Sequence, residues 1–472
     1  MPQEFKKKFK PVIISGKEVL PIVEGGKGVS ASDGGSAGAF AAAGAVGTFS
    51  GVNPVSTDES GNRIPYEYKE STRRGRHEEL VELSIAGGIE QAKRAHDIAN
   101  GSGRIHINVL WEMGAAERIL EGVLEQTKGL VHGVTCGAGM PYRLSEIAAQ
   151  YNVYYHPIVS SMRAFRALWK RAYSKNVELL GSVVYEDPWL AGGHNGLSNS
   201  ESPENPEDPY PRVAELRKFM NLVGLDETPI IMAGGVWHLK DWEHWLDNPE
   251  IGPIAFQFGT RPLLTKESPV PLNWKKKLLT LRKGDVFLNR FSPTGFYSSA
   301  VNNDFIQGLR ARSRRQVEYR TEQEGYYAEP YGFGPRKRPH YVTPEDMVRI
   351  KRWENEGYTM AMKTPDDTLI FVTPEDGGQI AQEQIDCMGC LSHCRFSNWK
   401  DHDDYTTGKK ADPRSFCIQK TLQNIAHTED GDVNNELMFS GHNAYKFADD
   451  PFYDDGYIPS VAELVERIAE GR

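Results

Sequence analysis

The sequence predicts an α/β fold: a (β/α)8 TIM barrel followed by an irregular C-terminal extension that carries a metal or iron-sulfur site. Three observations lead there. Short β-branched runs alternate with helical stretches eight times before residue 268, which is the count a closed parallel barrel needs. The last two of those runs end in glycines, at the place where barrels commonly bind phosphate. Near the C-terminus, three thiols are spaced Cys-x2-Cys-x3-Cys. An open, doubly wound sheet is the alternative, because alternation alone does not distinguish closure from opening.

The elements follow in order. Pro21 to Glu24 is a short apolar run that ends in Gly25-Gly26-Lys27-Gly28, a turn suited to lie against a ligand. No Gly-Lys-Ser/Thr follows, so it is not a P-loop. Ala37 to Ala45 reads as a small-residue helix leading to strand Val46 to Phe49. His77 to Asn100 has helical spacing. Strand Ile105 to Leu110 then precedes a helix near Ala115 to Glu125, Leu130 to Thr135 one near Arg143 to Gln150, and Val153 to Val159 one near Met162 to Tyr173. Leu179 to Val184 leads into a polar loop and a helix near Val213 to Val223. Pro229 to Met232, a helix near Leu239 to Leu246 and Ile254 to Phe258 complete the set.

Composition narrows the function classes. With 472 residues, one large or two ordinary domains are expected, and the end of the barrel pattern divides them into 1–268 and 269–472. The balance of 55 basic to 64 acidic residues argues against a nucleic-acid partner. No apolar run is long enough to span a membrane, and the N-terminus MPQEFKKKFK lacks the apolar stretch of a signal peptide. A cytoplasmic protein is expected. Five cysteines in so long a chain do not form a secreted disulfide framework.

The richest stretch is Gly181 to Gly196, GSVVYEDPWLAGGHNG. A buried parallel strand ends at Glu186-Asp187-Pro188, and the glycines after it let the backbone approach a flat ligand with one imidazole, His194, beside it. The plain alternative for His194 is a loop residue. Ile230 to Gly235 and Phe256 to Arg261 end in Gly234-Gly235 and Gly259-Thr260. Backbone N–H groups and a helix N-terminus at such loops suit a phosphate, with that of flavin mononucleotide (FMN) the natural guest. Tight turns are the plain alternative for either loop alone.

These motifs carry a family resemblance. PIVEGGKGVS, VHGVTCGAGMP, LAGGHNG, IIMAGGV and FQFGTRPLLTKES, in this order over Pro21 to Ser268, resemble the nitronate monooxygenase family, formerly called 2-nitropropane dioxygenase. The resemblance implies an FMN-dependent barrel. It puts Gly25, Gly26 and Lys27 beside the flavin, with Asn108 at the end of the third strand and Gly193 near the ring. It puts Gly234, Gly235, Gly259 and Thr260 around the phosphate, and His194 on the family's catalytic histidine. Two departures bear on the substrate: many members carry Met where Lys27 stands and Glu where Leu190 stands. The end of the chain, GHNAYKF with DPFY, resembles the C-terminus of longer members.

Cys387, Cys390 and Cys394, with Cys417 further on, read as ligands of one small cationic centre. The CMGC wording resembles the iron-sulfur segment of the 2,4-dienoyl-CoA reductase type, although the fourth cysteine is more distant here. A 4Fe-4S cluster is placed ahead of structural zinc. His393 and His402 can replace a thiol, which favours zinc, and reduced unliganded cysteines are the plain alternative. Cys136 reads as core or pocket lining. Between barrel and cysteines, Ser292 to Ser299 and Tyr326 to Tyr341 read as packed loops over the barrel mouth.

The leading expectation is an FMN-dependent oxidoreductase that oxidises alkyl nitronates with dioxygen. The alternative is an NAD(P)H-dependent flavin and iron-sulfur reductase acting on an enoyl thioester, quinone or partner protein. Either way the partners are a small-molecule substrate and dioxygen or NAD(P)H, with no membrane and no nucleic acid. A homodimer is left open.

Overall fold

The eight strands close. In the computed structural model, which describes residues 5, 7–58, 62–334, 336–401, 405–427 and 431–472, they are β1 (Ile22–Glu24), β2 (Val46–Ser50), β3 (Arg104–Leu110), β4 (Gly133–Gly137), β5 (Tyr154–Val159), β6 (Val183–Glu186), β7 (Ile230–Ala233) and β8 (Ile254–Phe258). All neighbours are parallel, and β8 returns to pair with β1 through Phe256 opposite Ile22. The open-sheet alternative is thereby removed.

The outer layer holds α1 (Gly34–Ala42), α2 (Arg73–Ala99), α3 (Ala116–Gln126), α4 (Leu144–Tyr151), α5 (Met162–Arg171) and α6 (Pro209–Leu222). Asp33, Thr72, Ser161 and Asp208 cap α1, α2, α5 and α6 by accepting from backbone amides of the first turn. Small residues in α1 follow from close packing: a Cβ at Gly47 of β2 would lie 1.8 Å from the Ala37 carbonyl oxygen. Between β7 and β8 the connection is only a 3-10 helix, Leu239–Trp245. The last helix, α7 (Val461–Ala469), supplies the eighth position. Its Val461, Leu464, Val465 and Ile468 are buried in the same apolar cluster as Phe40 of α1 and the barrel strands.

The floor of the barrel is a plug. An antiparallel hairpin, Val12–Ile14 with Lys17–Val19, packs Ile14 and Val19 against Val23, Val46, Val184 and Ile231. At its tip, Ser15 reaches two buried imidazoles, its Oγ standing 2.9 Å from His106 Nε2 and 2.9 Å from His156 Nε2. The two rings stack at 4.2 Å. His156 Nδ1 meets Ser182 Oγ at 2.7 Å.

The extension is not irregular, and this corrects the expectation. Val286–Asn289 and Ser298–Val301 form a three-stranded sheet with Gly193–His194. Gln316–Glu318, Thr368–Val372 and Met360–Lys363 form another, backed by helix Pro344–Asn355 through Val317, Ile350, Trp353 and Phe371. Part of the segment read as packed loops is a hairpin, Glu329–Phe333 with Arg338–Val342. Its Pro, Gly and charged residues hid the strand pattern.

The metal or iron-sulfur site is overturned as well. Among the described residues, no group of three or more His, Cys, Asp or Glu side chains is arranged to hold a metal ion, so neither a 4Fe-4S cluster nor zinc is supported at Cys387, Cys390, Cys394 and Cys417. These thiols belong to an apolar cluster with Leu391, Phe396, Trp399 and Ile418. The Cys387 sulfur accepts from Ser397 Oγ at 3.0 Å and Gly389 N at 3.4 Å. Burial pushes Cys390 up, Cys394 to about 11 and Cys417 to about 12. His393 is exposed, and His402 lies outside the described residues. Among the described residues no helix is long and apolar enough to cross a membrane.

The buried imidazoles set an acid limit. Desolvation holds His156 down at about 3 and His106 well below its ordinary 6.5, so each is neutral when folded and takes a proton only on unfolding. Their contribution is complete above the unfolded value and is lost as pH falls below about 6.5, for His156 down to about 3, by up to about 1.4 kcal/mol per pH unit. Melting temperature is expected to fall across that window and to fall less steeply in His156→Gln. An equal slope in the variant would contradict this role.

Candidate functional site

A cavity of about 310 Å³ opens at the C-terminal ends of the strands. Every residue that the resemblance placed beside the flavin or at the catalytic position lines it: Gly25, Gly26, Lys27, Asn108, Gly193, His194, Gly234, Gly235, Gly259 and Thr260. Strand register explains the convergence. Paired residues of parallel neighbours point to the same side, so the loops that follow β1, β6, β7 and β8 leave the barrel at one rim.

The first loop needs its glycines for space. A Cβ at Gly26 would lie 2.2 Å from Asn108 Cβ, and one at Gly25 would lie 3.1 Å from the Gly259 Cα. Beneath it sits a buried ion pair. Lys27 Nζ donates to the Gly25 carbonyl at 2.7 Å and lies 3.4 Å from Glu24 Oε1. Glu24 also accepts from Ser36 Oγ and, at 3.2 Å, from the Thr48 amide. Burial pushes the Glu24 carboxyl up and the Lys27 ammonium down, and the charge of each opposes the shift of the other.

The loops after β7 and β8 differ from the expectation in one respect. No long helix begins there; 3-10 turns follow instead, at Leu239–Trp245 and Arg261–Leu264. The cradle is therefore backbone and hydroxyl. Gly234 and Gly235 take φ of 87° and 75°, left-handed turns that glycine adopts without strain. A Cβ at Gly259 would meet nothing within 4 Å. Thr260 Oγ1 accepts from the Gly441 amide at 3.0 Å, which leaves its own O–H for a ligand. Space at Gly259 beside a free hydroxyl donor fits a phosphate group.

His194 is held by the extension. Its backbone pairs with Ser298, Phe439 stands 5.4 Å from its ring, and its Nε2 meets Ser292 Oγ at 2.6 Å. Ser292 Oγ in turn meets Thr294 Oγ1 at 2.9 Å. Desolvation lowers His194 to about 4, so the imidazole is neutral at pH 7 and can donate only one ring N–H.

Sequence reasoning gave no cavity role to several lining groups. Glu186 and Gln257 come from strand ends, whereas Cys390, Leu391, Phe439, Ser440, Gly441 and Asn443 descend from the extension. Asn443 Nδ2 donates to the Gly235 carbonyl at 2.6 Å. For Glu186 the signal was present, an acidic residue closing a buried strand. For Ser292 there was none, because its contact spans 98 positions. Of the four clustered cysteines only Cys390 reaches the cavity. Cys136 is fully buried in the barrel's apolar layer.

The close approach at Gly26 is testable by contrast. Gly26→Ala forces a methyl onto Asn108 and is expected to cost about 1–3 kcal/mol. Gly28→Ala, whose Cβ would stand an ordinary 3.6 Å from Val52, is expected to leave the melting temperature nearly unchanged. Equal losses in the two variants would refute the argument from space.

Residues 13–470 match the family described as nitronate monooxygenase. No curated protein matches the chain. Among solved structures it is similar to the enoyl reductase domain of MlnA, from the macrolactin biosynthesis cluster of Bacillus amyloliquefaciens, at 10% identity and a TM-score of 0.53 over 99% of this chain and 96% of that one. It is also similar to FabK from Thermotoga maritima, at 14% identity, a TM-score of 0.49 and coverage of 96% and 92%. A third is nitroalkane oxidase from Streptomyces ansochromogenes, at 18% identity, a TM-score of 0.43 and coverage of 61% and 78%. At such identity the MlnA likeness supports the fold alone. The family match, by contrast, spans barrel and extension together and carries a general assignment as a flavin-dependent oxidoreductase. The chain belongs to the nitronate monooxygenase family.

Proposed function

We propose that this chain is an FMN-dependent oxidoreductase that oxidises alkyl nitronates with dioxygen in the cytoplasm. The observation that carries the reading is the meeting of His194 with the glycine turns after β1, β7 and β8 around one cavity. Bound FMN supplies the electron acceptor and the centre that dioxygen reoxidises. The protein's own groups hold, orient and shield. Gly25, Gly26, Lys27, Asn108 and Gly193 would hold the ring system, and Gly234, Gly235, Gly259 and Thr260 the phosphate. In this reading 1–268 provides the cofactor side of the site, and 269–472 its roof together with the barrel's last helix.

His194 is the catalytic residue in this proposal. A nitronate is an anion, and a neutral imidazole with one N–H can donate to its nitro oxygen without first giving up a proton. Ser292 fixes the ring: the hydrogen bond at Nε2 holds its orientation. The reductase alternative, acting on an enoyl thioester, quinone or partner protein, drew its support from a redox centre at the cysteines, and their packing as buried thiols no longer supplies it.

Two variants test the assignment. His194→Ala is expected to keep its flavin and to lose about 10²- to 10⁴-fold in nitronate-dependent oxygen uptake; uptake at the wild-type rate would remove His194 from the reaction. Gly259→Ala adds a methyl where nothing lies within 4 Å, so the cofactor-free protein should melt as before while FMN affinity falls at least about tenfold. Unchanged affinity would place the phosphate elsewhere.

A further inference from the structure

The extension places two polar groups in the cavity wall that find no partner in the protein. Gln419 and Ser440 both line the cavity and are buried. Among the described residues, neither Gln419 Nε2 nor Ser440 Oγ makes a hydrogen bond, and no other side chain lining the cavity has a fully buried polar atom left in this way. An enclosed donor without a partner is costly unless what fills the cavity meets it.

Gln419 is the more closely fixed of the two. It lies in the first turn of helix Ile418–His427, and its Oε1 accepts from Asn53 Nδ2 at 2.8 Å. Asn53 Oδ1 in turn accepts from Ser84 Oγ at 3.4 Å, and all three side chains are buried. Asn53 stands at φ 45°, in the left-handed region that asparagine enters more readily than most residues. Its hydrogen bond decides which way the Gln419 amide faces: the carbonyl is taken, and the N–H groups remain for the cavity. The hydroxyl of Ser440 can rotate, whereas an amide held at one end cannot turn over.

The position is on the ring side of the cavity. Asn53 follows β2, close to the loop after β1 and the end of β3: a Cβ on Gly28 would stand 3.6 Å from Val52, and the Gly51 amide donates to the Asn108 carbonyl at 2.7 Å. The loops read as holding the phosphate follow β7 and β8, and His194 follows β6. We propose that Gln419 donates an N–H to a ring carbonyl of bound FMN and raises its reduction potential. The inference rests on the FMN reading. Reduction increases the negative charge on the acceptor atoms of the ring, and a fixed N–H is worth more to a charged acceptor than to a neutral one. The donor therefore favours the reduced cofactor, and the extension tunes the cofactor as well as covering it.

The test uses the full chain loaded with FMN, its reduction potential read by equilibration with a reference dye. Gln419→Met keeps the length of the side chain and removes the donor. The preference for reduced over oxidised FMN should fall at least about tenfold, a potential about 30 mV more negative. Gln423→Met is the control: its Nε2 is also buried and unpartnered, one turn along the same helix, but Gln423 does not line the cavity, so the potential should stay at the wild-type value. Gln419→Asn, a neutral amide one methylene shorter, repeats the test should Gln419→Met not fold, with a shift in the same direction. An unchanged potential in the folded Gln419 variant overturns the proposal; a raised KM for the nitronate beside it would give the donor to the substrate instead. A wild type that binds no FMN overturns the cofactor reading as well.

Discussion

The return of the chain's last helix to the barrel is the constraint on which the rest depends. α7 buries Val461, Leu464, Val465 and Ile468 in the outer layer beside α1, with a Ser460–Glu463 capping box fixing its start. Arg261, just after β8, donates to the Trp237 carbonyl at 2.9 Å and to the Arg472 carbonyl at 3.1 Å. The segment between β8 and α7 is therefore tied to the barrel at both ends. Its remaining anchors are polar and specific: Arg76 donates to the carbonyls of Ile385 and Cys387, His77 meets Asp401 at 2.9 Å, and Gly114 N donates to Cys390 O at 3.0 Å. Held this way, the extension has one place to lie, across the strand ends.

That placement gives the cavity two different walls. The barrel wall is backbone, glycine and a buried Glu24–Lys27 pair, shaped to let a flat anion-bearing group approach closely. The roof is apolar and tightly packed, with Phe439 against His194 and Ile418, Leu422 and Leu437 further along. Excluding water from between them strengthens each remaining hydrogen bond and shifts two of the titratable groups, lowering the imidazole of His194 and raising the carboxyl of Glu186. The two groups thus enter neutral pH uncharged for the same reason, burial acting against the charged form of each.

How much of this was legible in the sequence depended on the range of the interactions. Strand alternation and glycine turns are local, so the barrel and its order could be read directly, whereas the placing of Lys27, Asn108, Gly193 and His194 came from the family resemblance. Boundaries moved where a cap decided them, as at α2, which begins beyond Thr72 rather than at His77. For the roof only a general position could be read, with Ser292 to Ser299 placed over the barrel mouth and no residue given a contact. Ser292, Phe439 and Asn443 reach the site through contacts that no periodicity encodes, and strands broken by Pro and Gly, such as Glu329–Phe333, hide their pattern. The cysteines misled for the same reason. Spacing suggests ligands, but the folded chain packs the thiols among Phe396, Trp399 and Ile418, and among the described residues no ligand group is arranged for a metal.

The most direct test of the account is the absorbance spectrum of the freshly purified protein under anaerobic conditions, recorded before and after adding an alkyl nitronate and, separately, NADH or NADPH. An oxidised flavin spectrum that the nitronate bleaches and pyridine nucleotide leaves unchanged is the result the account predicts. Bleaching by pyridine nucleotide with no response to the nitronate would contradict it.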